Sequence, residues 1–406
     1  MATKWRLPTL DVPMTIAALV LVAIGLSIVF SATTVPGEHE GLWVRQLMWF
    51  GFAFAAALLA AALHYRAYDS FAYPLYGLSI LLLIAVLVMG TSAMGAKRWL
   101  ELGPLKFQPS ELAKIATVFV LARRFDDRKL DLRRVRDWFP PLLITLVPFV
   151  LVAKEPDLGT SLAFPVILVA MYFWAGMPPG HLLLGLSPVF NVALFFLTGS
   201  LVWFGAAFAV LLAFVRPKWS TLLLALMING AVAYAVPHLW DHLHDYQKRR
   251  IETFLNPGQD PHGAGYQIIQ SKIAIGSGGL AGKGFLRGTQ KGLAFLPMRH
   301  TDFIYSVVGE ELGLLGALTV VILYAVVIVR GYRLALQVRN GFASLMAVGL
   351  VSALFYHIMV NILMTIGWAP VTGLPLPLLS YGGTALIVNC VQLGLLQNVA
   401  LRRQEY

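Results

Sequence analysis

The first long apolar stretch of this sequence is Val12-Pro-Met-Thr-Ile-Ala-Ala-Leu-Val-Leu-Val-Ala-Ile-Gly-Leu-Ser-Ile-Val-Phe30, which contains no charged residue. An α-helix needs about 20 such residues to cross roughly 30 Å of hydrocarbon, so the stretch predicts a transmembrane helix. Lys4 and Arg6 precede it without a shorter apolar segment and cleavage site. We therefore expect a retained first span rather than a cleaved signal peptide.

The composition extends this interpretation to the whole chain. Of its 406 residues, 58% are hydrophobic and 13% are charged, whereas a soluble domain is nearer half apolar and a quarter charged. We predict twelve spans with approximate bounds 12–33, 43–63, 71–90, 111–124, 139–153, 159–176, 181–198, 200–215, 219–238, 303–329, 342–367 and 380–400. The short, amphiphilic segment 111–124 is the least secure of them. The stretch 181–238 also fits two spans.

The distribution of Lys and Arg predicts the topology. The strongest basic cluster in a short loop lies at 123–136, and such loops are cytoplasmic. Alternation of the spans puts five other basic segments on that side: 4–6, 66, 216–218, 330–339 and 402–403. Both termini are then cytoplasmic. The large loop 239–302 is extracytoplasmic, and long loops are exempt from this charge rule.

Charge and cysteine content exclude several classes of function. The formal net charge is +11, but no nucleic-acid-binding signature is present, so we expect no nucleic-acid partner. Membrane lipids with anionic head groups, or a phosphate-bearing lipid, are better partners for this charge. The single cysteine, Cys390, excludes an intrachain disulfide and a zinc cluster.

The large loop combines a predicted helix with a glycine-rich segment. Tyr266, Ile269 and Ile273 share one face of a helix predicted over 265–275. We expect this helix to lie at the membrane–water interface on the extracytoplasmic side. Five glycines follow within 276–284. The segment fails both the Walker A and the dinucleotide patterns. Its backbone amides, with Lys283, could bind an anion, and a flexible hinge is the alternative.

Asp302 is the sharpest candidate for chemistry. It ends the polar loop at the start of a predicted span, after Arg299 and His300. One interpretation is a general base at the membrane surface. The other is an acid that stabilises a helix start, with Thr301 as the N-cap.

Other polar groups are predicted near the same side of the membrane. Glu111 and Lys114 share one helix face, either as functional groups or as a structural ion pair. Arg98 and Asp157 lie at span ends on that side. Prolines in the stretch 373–383 forbid a regular helix, so we expect an ordered re-entrant turn covering the site.

One histidine cluster has a spacing that can hold a metal. His238 and His242 are four residues apart, which suits a metal on one helix face. An exposed helix end is the alternative interpretation.

Long motifs spread along most of the chain resemble one family. They are Lys97-Arg-Trp-Leu-Glu-Leu-Gly103, Phe107-Gln-Pro-Ser-Glu111, Pro156-Asp-Leu-Gly-Thr-Ser161, His244-Asp-Tyr-Gln247, Gly263-Ala-Gly-Tyr-Gln-Ile-Ile-Gln-Ser-Lys272, Phe295-Leu-Pro-Met-Arg-His-Thr-Asp-Phe-Ile304, Glu310-Glu-Leu-Gly313 and Pro377-Leu-Leu-Ser-Tyr-Gly-Gly383. Together they resemble the SEDS proteins (shape, elongation, division and sporulation). The segments 271–280 and 288–290 are similar to the RodA branch.

The resemblance implies an all-α polytopic membrane protein, a SEDS-type helical bundle of about 10–12 transmembrane helices with a large extracytoplasmic loop. It occupies 1–406 as one integral membrane domain of the bacterial cytoplasmic (inner) membrane. The family typically has ten spans, so 181–238 is expected to hold an extra transmembrane hairpin. The activity implied is that of a peptidoglycan glycosyltransferase that polymerises lipid II, an undecaprenyl-pyrophosphate disaccharide-pentapeptide, in cell-wall elongation and cell-shape maintenance.

The resemblance also implies partners, a cofactor and site residues. The partners are a class B penicillin-binding protein transpeptidase and the elongation machinery, and the cofactor is a divalent cation, Mg or Mn, with unknown ligands. The essential aspartate falls on Asp302, and the conserved pair falls on Glu111 and Lys114. We predict substrate contacts at Arg98, Trp99, Asp157, Lys272, Lys283, Arg299, His300 and Ser380.

Two other functions fit the same residues. A lipid II flippase would also use intramembrane charges and many spans. A non-catalytic scaffold of the elongation machinery would need exposed helix faces but neither Asp302 nor Glu111.

Overall fold

The computed structural model describes residues 9–33, 41–93, 96–102, 105–127, 130–198, 200, 202–215, 218–242, 248, 252–254, 264–289, 296 and 298–403. The helices are α1 Val12–Thr33, α2 Leu42–Ala62, α3 Tyr65–Met89, α4 Pro109–Asp126, α5 Phe139–Lys154, α6 Leu158–Ser161, α7 Ala163–Trp174, α8 Pro179–Thr198, α9 Val202–Val215, α10 Trp219–His242, α11 Ala264–Ser277, α12 Ile304–Gln337, α13 Gly341–Thr365 and α14 Gly383–Leu401. A short 3-10 helix, Val135–Trp138, precedes α5.

A helix lies at every predicted span, with α6 and α7 together at 159–176. Within the described part of the chain, seven helices are long and apolar enough to cross a membrane. The all-α polytopic membrane fold is therefore confirmed. The stretch 181–238 forms three helices, α8 to α10, rather than two.

Helix α4 lies at the centre of the bundle, which explains its weak hydropathy. It packs against α3, α5 and α13, and nearly all of its side chains from Pro109 to Ala122 are buried. A helix surrounded by protein can carry polar side chains because they face other helices instead of lipid. The least secure predicted span is thus the core helix.

The glycine-rich segment after α11 docks on a break in α12. Gly313 interrupts that helix with φ 65° and ψ −164°, a conformation that only glycine adopts readily. Four backbone hydrogen bonds join the two segments: Leu314 N–Gly279 O, Leu315 N–Leu280 O, Lys283 N–Glu310 O and Gly284 N–Glu311 O. The amides of Lys283 and Gly284 therefore donate to carbonyls of α12. The glycine-rich segment is thus hydrogen-bonded to α12 at the helix break.

The helix predicted over 265–275 is present as α11, and its position in the membrane interface stays a prediction. Ile268, Ser271 and Ala274 are the buried side chains, whereas Ile273 is 44% exposed. The protein-facing side of α11 therefore includes a polar residue, Ser271, whose hydroxyl forms a hydrogen bond with the Ser306 hydroxyl. A search for apolar spacing does not find such a side.

A small antiparallel sheet was not predicted. Strands β1 Thr91–Ala93, β2 Ala96–Leu102 and β3 Leu105–Phe107 are paired in the order β1-β2-β3. The sheet lies between α3 and α4 in the chain, and its strand β2 packs against both helices.

Candidate active site

The first turns of α4 carry a buried charged group. Lys114 Nζ lies 2.8 Å from Glu111 Oε1 and 2.6 Å from His357 Nε2 on α13. All three residues are at most 5% exposed. Because the ammonium donates, His357 accepts at Nε2 and carries its proton on Nδ1. The pair predicted on one face of α4 is confirmed as an ion pair, with a histidine as its third member.

Asp157 is fixed at the start of α6. One of its carboxylate oxygens accepts from the Thr160 amide and the other from the Thr160 hydroxyl, at 3.1 and 2.9 Å, and Gln108 Nε2 donates to it at 3.3 Å. Arg98 Nε lies 3.9 Å from the same carboxylate, and its Nη2 donates to the Pro156 carbonyl. Arg98 and Asp157 are therefore together, as the sequence predicts.

Asp302 lies two residues before α12. The N-cap of α12 is Phe303 and not Thr301, so the predicted capping role of Thr301 is wrong. Asn361 Nδ2 on α13 donates to the Asp302 carbonyl at 2.9 Å and to the Leu374 carbonyl at 2.7 Å. The backbone of Asp302 is thus anchored on α13. Asp302 is partly exposed, whereas His300 before it and Phe303 after it are buried.

The non-helical stretch between α13 and α14 connects the two aspartates. A Cβ placed on Gly373 would lie 3.5 Å from the Asp302 carboxylate, and one on Gly159 would lie 3.0 Å from Thr372 Cβ. The residues that follow Asp157 therefore pack on the same turn that faces Asp302. The predicted ordered turn at 373–383 is present and contacts the site.

Two predicted substrate residues, Ser380 and His300, hold the backbone of this turn, and a third, Arg299, is bound to α1. Ser380 is 5% exposed, and its hydroxyl donates to the Thr301 carbonyl and accepts from the Leu376 amide. The His300 carbonyl accepts from the Tyr381 amide. Arg299 Nε donates to the Ala32 carbonyl at 2.8 Å. These contacts hold Asp302 in place; substrate contact by Ser380, His300 and Arg299 stays a prediction.

The other predicted residues lie farther out. The exposed Lys272 side chain covers Gly367 at the end of α13. Lys283 Nζ is paired with Glu310 Oε1 at 2.8 Å and the Thr289 hydroxyl at 2.7 Å. Trp99 is half-buried on β2. The side chains of His238 and His242 lie outside the described residues, as does His244.

Comparison with known proteins decides the family. The family model for the FtsW, RodA and SpoVE cell cycle proteins matches residues 11–198 and 196–405. The chain belongs to this family. The peptidoglycan glycosyltransferase MrdB of Escherichia coli K12 is 40% identical over 403 residues, covering 99% of this chain and 96% of that protein. A probable peptidoglycan glycosyltransferase FtsW of Geobacter metallireducens is 33% identical over 402 residues, 97% and 95% of the two chains.

Solved structures of the FtsW/RodA/SpoVE family share the fold. One of them is a chain of a peptidoglycan synthase complex that coordinates polymerization and crosslinking. It has TM-score 0.75 and 33% identity, and the match covers 98% of this chain and 99% of that one. The rod-shape-determining protein RodA of Thermus thermophilus has TM-score 0.66 and 30% identity, with the same coverage.

The sequence analysis missed two titratable residues that lie next to the predicted site residues of this chain. His357 is an ionisable residue inside a span, a signal that was available. Glu155 directly precedes the Pro156-Asp157 motif and is 1% exposed. Neither of its carboxylate oxygens has a hydrogen-bond partner among the described residues. Burial, and then the charge of Asp157, raise the pKa of Glu155 to about 8 against the opposing charge of Arg98.

Proposed function

We propose that this chain is a peptidoglycan glycosyltransferase of the RodA type that polymerises lipid II during cell-wall elongation, with Asp302 as the general base. It is a multi-pass protein of the bacterial inner membrane. One observation carries the assignment of the site. Asp302 is a partly exposed carboxylate that faces the turn at Gly373, on a backbone held by Asn361.

The chemistry requires one proton acceptor. The 4-hydroxyl of the acceptor sugar attacks the anomeric carbon of the donor, and Asp302 takes the hydroxyl proton as the new glycosidic bond forms. The bond from the anomeric carbon to the lipid pyrophosphate breaks, and the electron pair leaves with the pyrophosphate. A carboxylate with one side exposed can reach a bound hydroxyl, whereas Glu111 is committed to Lys114.

The departing pyrophosphate needs positive charge nearby. Arg98, whose side chain is 20% exposed next to Asp157, is the cation placed to contact it. Lys114 is 2% exposed, so we assign it a positioning and electrostatic role. Lys272 is exposed near the same turn and is the second candidate.

A divalent cation fits this site only together with the substrate. No cluster of three potential ligands occurs among the described His, Cys, Asp and Glu residues. Mg²⁺ is often held by one or two carboxylates plus substrate phosphates, and Asp302 or Asp157 would supply the protein ligand. The cation would neutralise charge that develops on the leaving pyrophosphate.

The remaining proposals concern partners and orientation. A class B penicillin-binding protein is the proposed transpeptidase partner within the elongation machinery, in keeping with the peptidoglycan synthase complex of similar fold. The positive-inside rule supports cytoplasmic termini and an extracytoplasmic Asp302.

The deciding experiment measures polymerisation in detergent, where translocation across a bilayer has no meaning. The protein is purified with its transpeptidase partner and incubated with lipid II and Mg²⁺ or Mn²⁺. We expect long glycan strands from the wild type and none from Asp302→Asn. Asp127→Asn, which removes an exposed acid paired with Arg124, is the matched control and should retain activity. Normal strands from Asp302→Asn would reject the base assignment. The absence of strands from the wild type and all variants would favour the flippase or the scaffold.

A further inference from the structure

An apolar cavity separates the helices α8 to α10 from the rest of the bundle. Its volume is about 250 Å³, and its walls come from α5, α7, α8 and α10. Leu142 and Leu168 line one side, and Leu184 and Ala225 line the other. Cavities of this kind bind small apolar groups rather than water.

The cavity opens sideways between the helices. Among its lining residues, Phe139 is 46% exposed, Val189 64% and Ile228 42%. These side chains belong to helices that we place in the membrane, so the opening faces lipid chains. The wall is therefore continuous with the hydrocarbon region of the bilayer.

One end of the cavity is polar and basic. The rings of Trp138 and His181 lie 5.3 Å apart at this end, and the exposed Lys218 lies just before α10, whose first turn lines the cavity through Thr221. His181 Nδ1 is buried and has no hydrogen-bond partner among the described residues. Arg136, with a 77% exposed side chain, lies in the turn just before Trp138, where its Nε is 3.7 Å from the Asp137 carboxylate. An exposed cation at the end of an apolar slot matches a lipid phosphate joined to an acyl chain.

We propose that this cavity is a binding site for an anionic phospholipid of the leaflet on the basic side of the membrane. One acyl chain occupies the slot, and the phosphate contacts Lys218. The site is separate from Asp302 and its neighbours. Trp138 precedes α5 and Asp157 follows it, so the two lie at opposite ends of a 16-residue helix, about 24 Å long.

Filling the slot tests the apolar part. A Cβ added to Gly185, which lines the cavity, meets no atom within 4 Å, so Gly185→Leu extends into the slot without a backbone clash. Gly205 on α9 is equally open but does not line it, and Gly205→Leu is the matched control. Delipidated protein in detergent is titrated with phosphatidylglycerol or phosphatidylcholine, and the unfolding temperature is recorded.

We expect phosphatidylglycerol to raise the unfolding temperature of the wild type and Gly205→Leu at lower lipid fractions than phosphatidylcholine does. Gly185→Leu should lose this response while keeping glycan polymerisation, which shows that it is folded. An unchanged response of Gly185→Leu would overturn the proposal. Equal responses of the wild type to the two lipids would show only apolar filling and would also overturn it.

Removing the charge tests the polar part. In Lys218→Gln the half-saturating phosphatidylglycerol fraction should rise about five-fold, which corresponds to about 1 kcal/mol for one cation near an anionic surface. Arg339→Gln removes an exposed charge in the turn after α12 and should leave it unchanged. Equal effects of the two variants would indicate general attraction to an anionic surface and reject the site. Stabilisation by inorganic phosphate alone would also reject it, because the acyl chain would then be unnecessary.

Discussion

The Lys114 ammonium lies 2.6 Å from His357 Nε2 and 2.8 Å from the Glu111 carboxylate, within the core of the bundle. The first contact joins α4 to α13, the helix that also anchors Asp302 through Asn361. A lysine held on both sides has one position, so the electrostatic field that it exerts on the site is fixed. His357 is therefore a positioning residue for Lys114.

Replacing His357 should reduce polymerisation without preventing folding. His357→Ala removes the acceptor of a buried ammonium and lets Lys114 move from its position, so we expect about a ten-fold or greater loss of rate. His357→Gln retains an acceptor oxygen and should recover part of the rate. The measurement is strand synthesis from lipid II in detergent. His64→Gln, in the exposed turn before α3, is the control, and equal rates for Ala and Gln variants would contradict the positioning role.

Glu155 should make stability depend on pH. Its pKa is raised to about 8 in the folded protein, above its unfolded value near 4.5, so the folded state binds the extra proton. The stabilisation is complete below pH 4.5 and is lost as pH rises to about 8, at up to about 1.4 kcal/mol per pH unit. Glu155→Gln should remove this decline.

The test compares unfolding temperatures of the wild type and Glu155→Gln between pH 5 and pH 9. The variant should gain stability relative to the wild type as pH rises, and the difference should level off above about pH 8. Glu101→Gln, which changes an exposed acid paired with Lys106, serves as the control. Parallel curves for the wild type and Glu155→Gln would show that Glu155 does not titrate in this range.

Much of the fold was predictable because the bilayer restricts the choices. Helices are present at all twelve predicted positions since an apolar stretch must satisfy its backbone hydrogen bonds internally. Periodicity could not identify which face of α11 meets protein. Nor could it predict the three strands at 91–107, which are short and carry charged side chains.

The candidate site was predictable in its members more than in its contacts. The sequence predicted Glu111 and Lys114 because ionisable residues inside a span are costly without a role. It predicted Asp157 and Asp302 because both start spans on the same side of the membrane. The amides of Lys283 and Gly284 in the glycine-rich segment donate to carbonyls of α12 next to a helix break at Gly313. No local sequence pattern predicts that break. The contact between His357 and Lys114 joins residues 243 positions apart. Long-range contacts of this kind need the structure.

A second ion pair at the opposite end of the bundle should control stability rather than activity. Arg330 Nε and Nη2 donate to both oxygens of Asp11, at 2.6 to 3.0 Å, and Asp11 is 3% exposed. Arg330→Ala leaves this carboxylate buried without its cation, which we expect to cost ~2 kcal/mol, because partial exposure of Arg330 reduces the usual penalty. Arg134→Ala, from an exposed pair with Asp131, should cost little.

Unfolding in detergent and strand synthesis per folded molecule separate the two effects. Arg330→Ala should lower the unfolding temperature and leave the specific activity of the folded fraction near that of the wild type. A loss of specific activity as large as that of Asp302→Asn would show that this pair contributes to the reaction.

The hydrogen bonds between the glycine-rich segment and α12 should break when Gly313 gains a side chain. A Cβ there would lie 2.3 Å from the Gly282 nitrogen and 2.6 Å from the Leu280 oxygen, at a φ of 65° that is unfavourable for alanine. Gly313→Ala should therefore cost at least ~2 kcal/mol and release the segment from the helix. Gly77→Ala in α3, where a Cβ meets nothing within 4 Å, is the matched control and should be neutral or stabilising. Limited proteolysis measures the release, since cleavage within 277–289 should be faster in Gly313→Ala. A cleavage rate equal to that of Gly77→Ala would mean that docking of the segment does not depend on the helix break at Gly313.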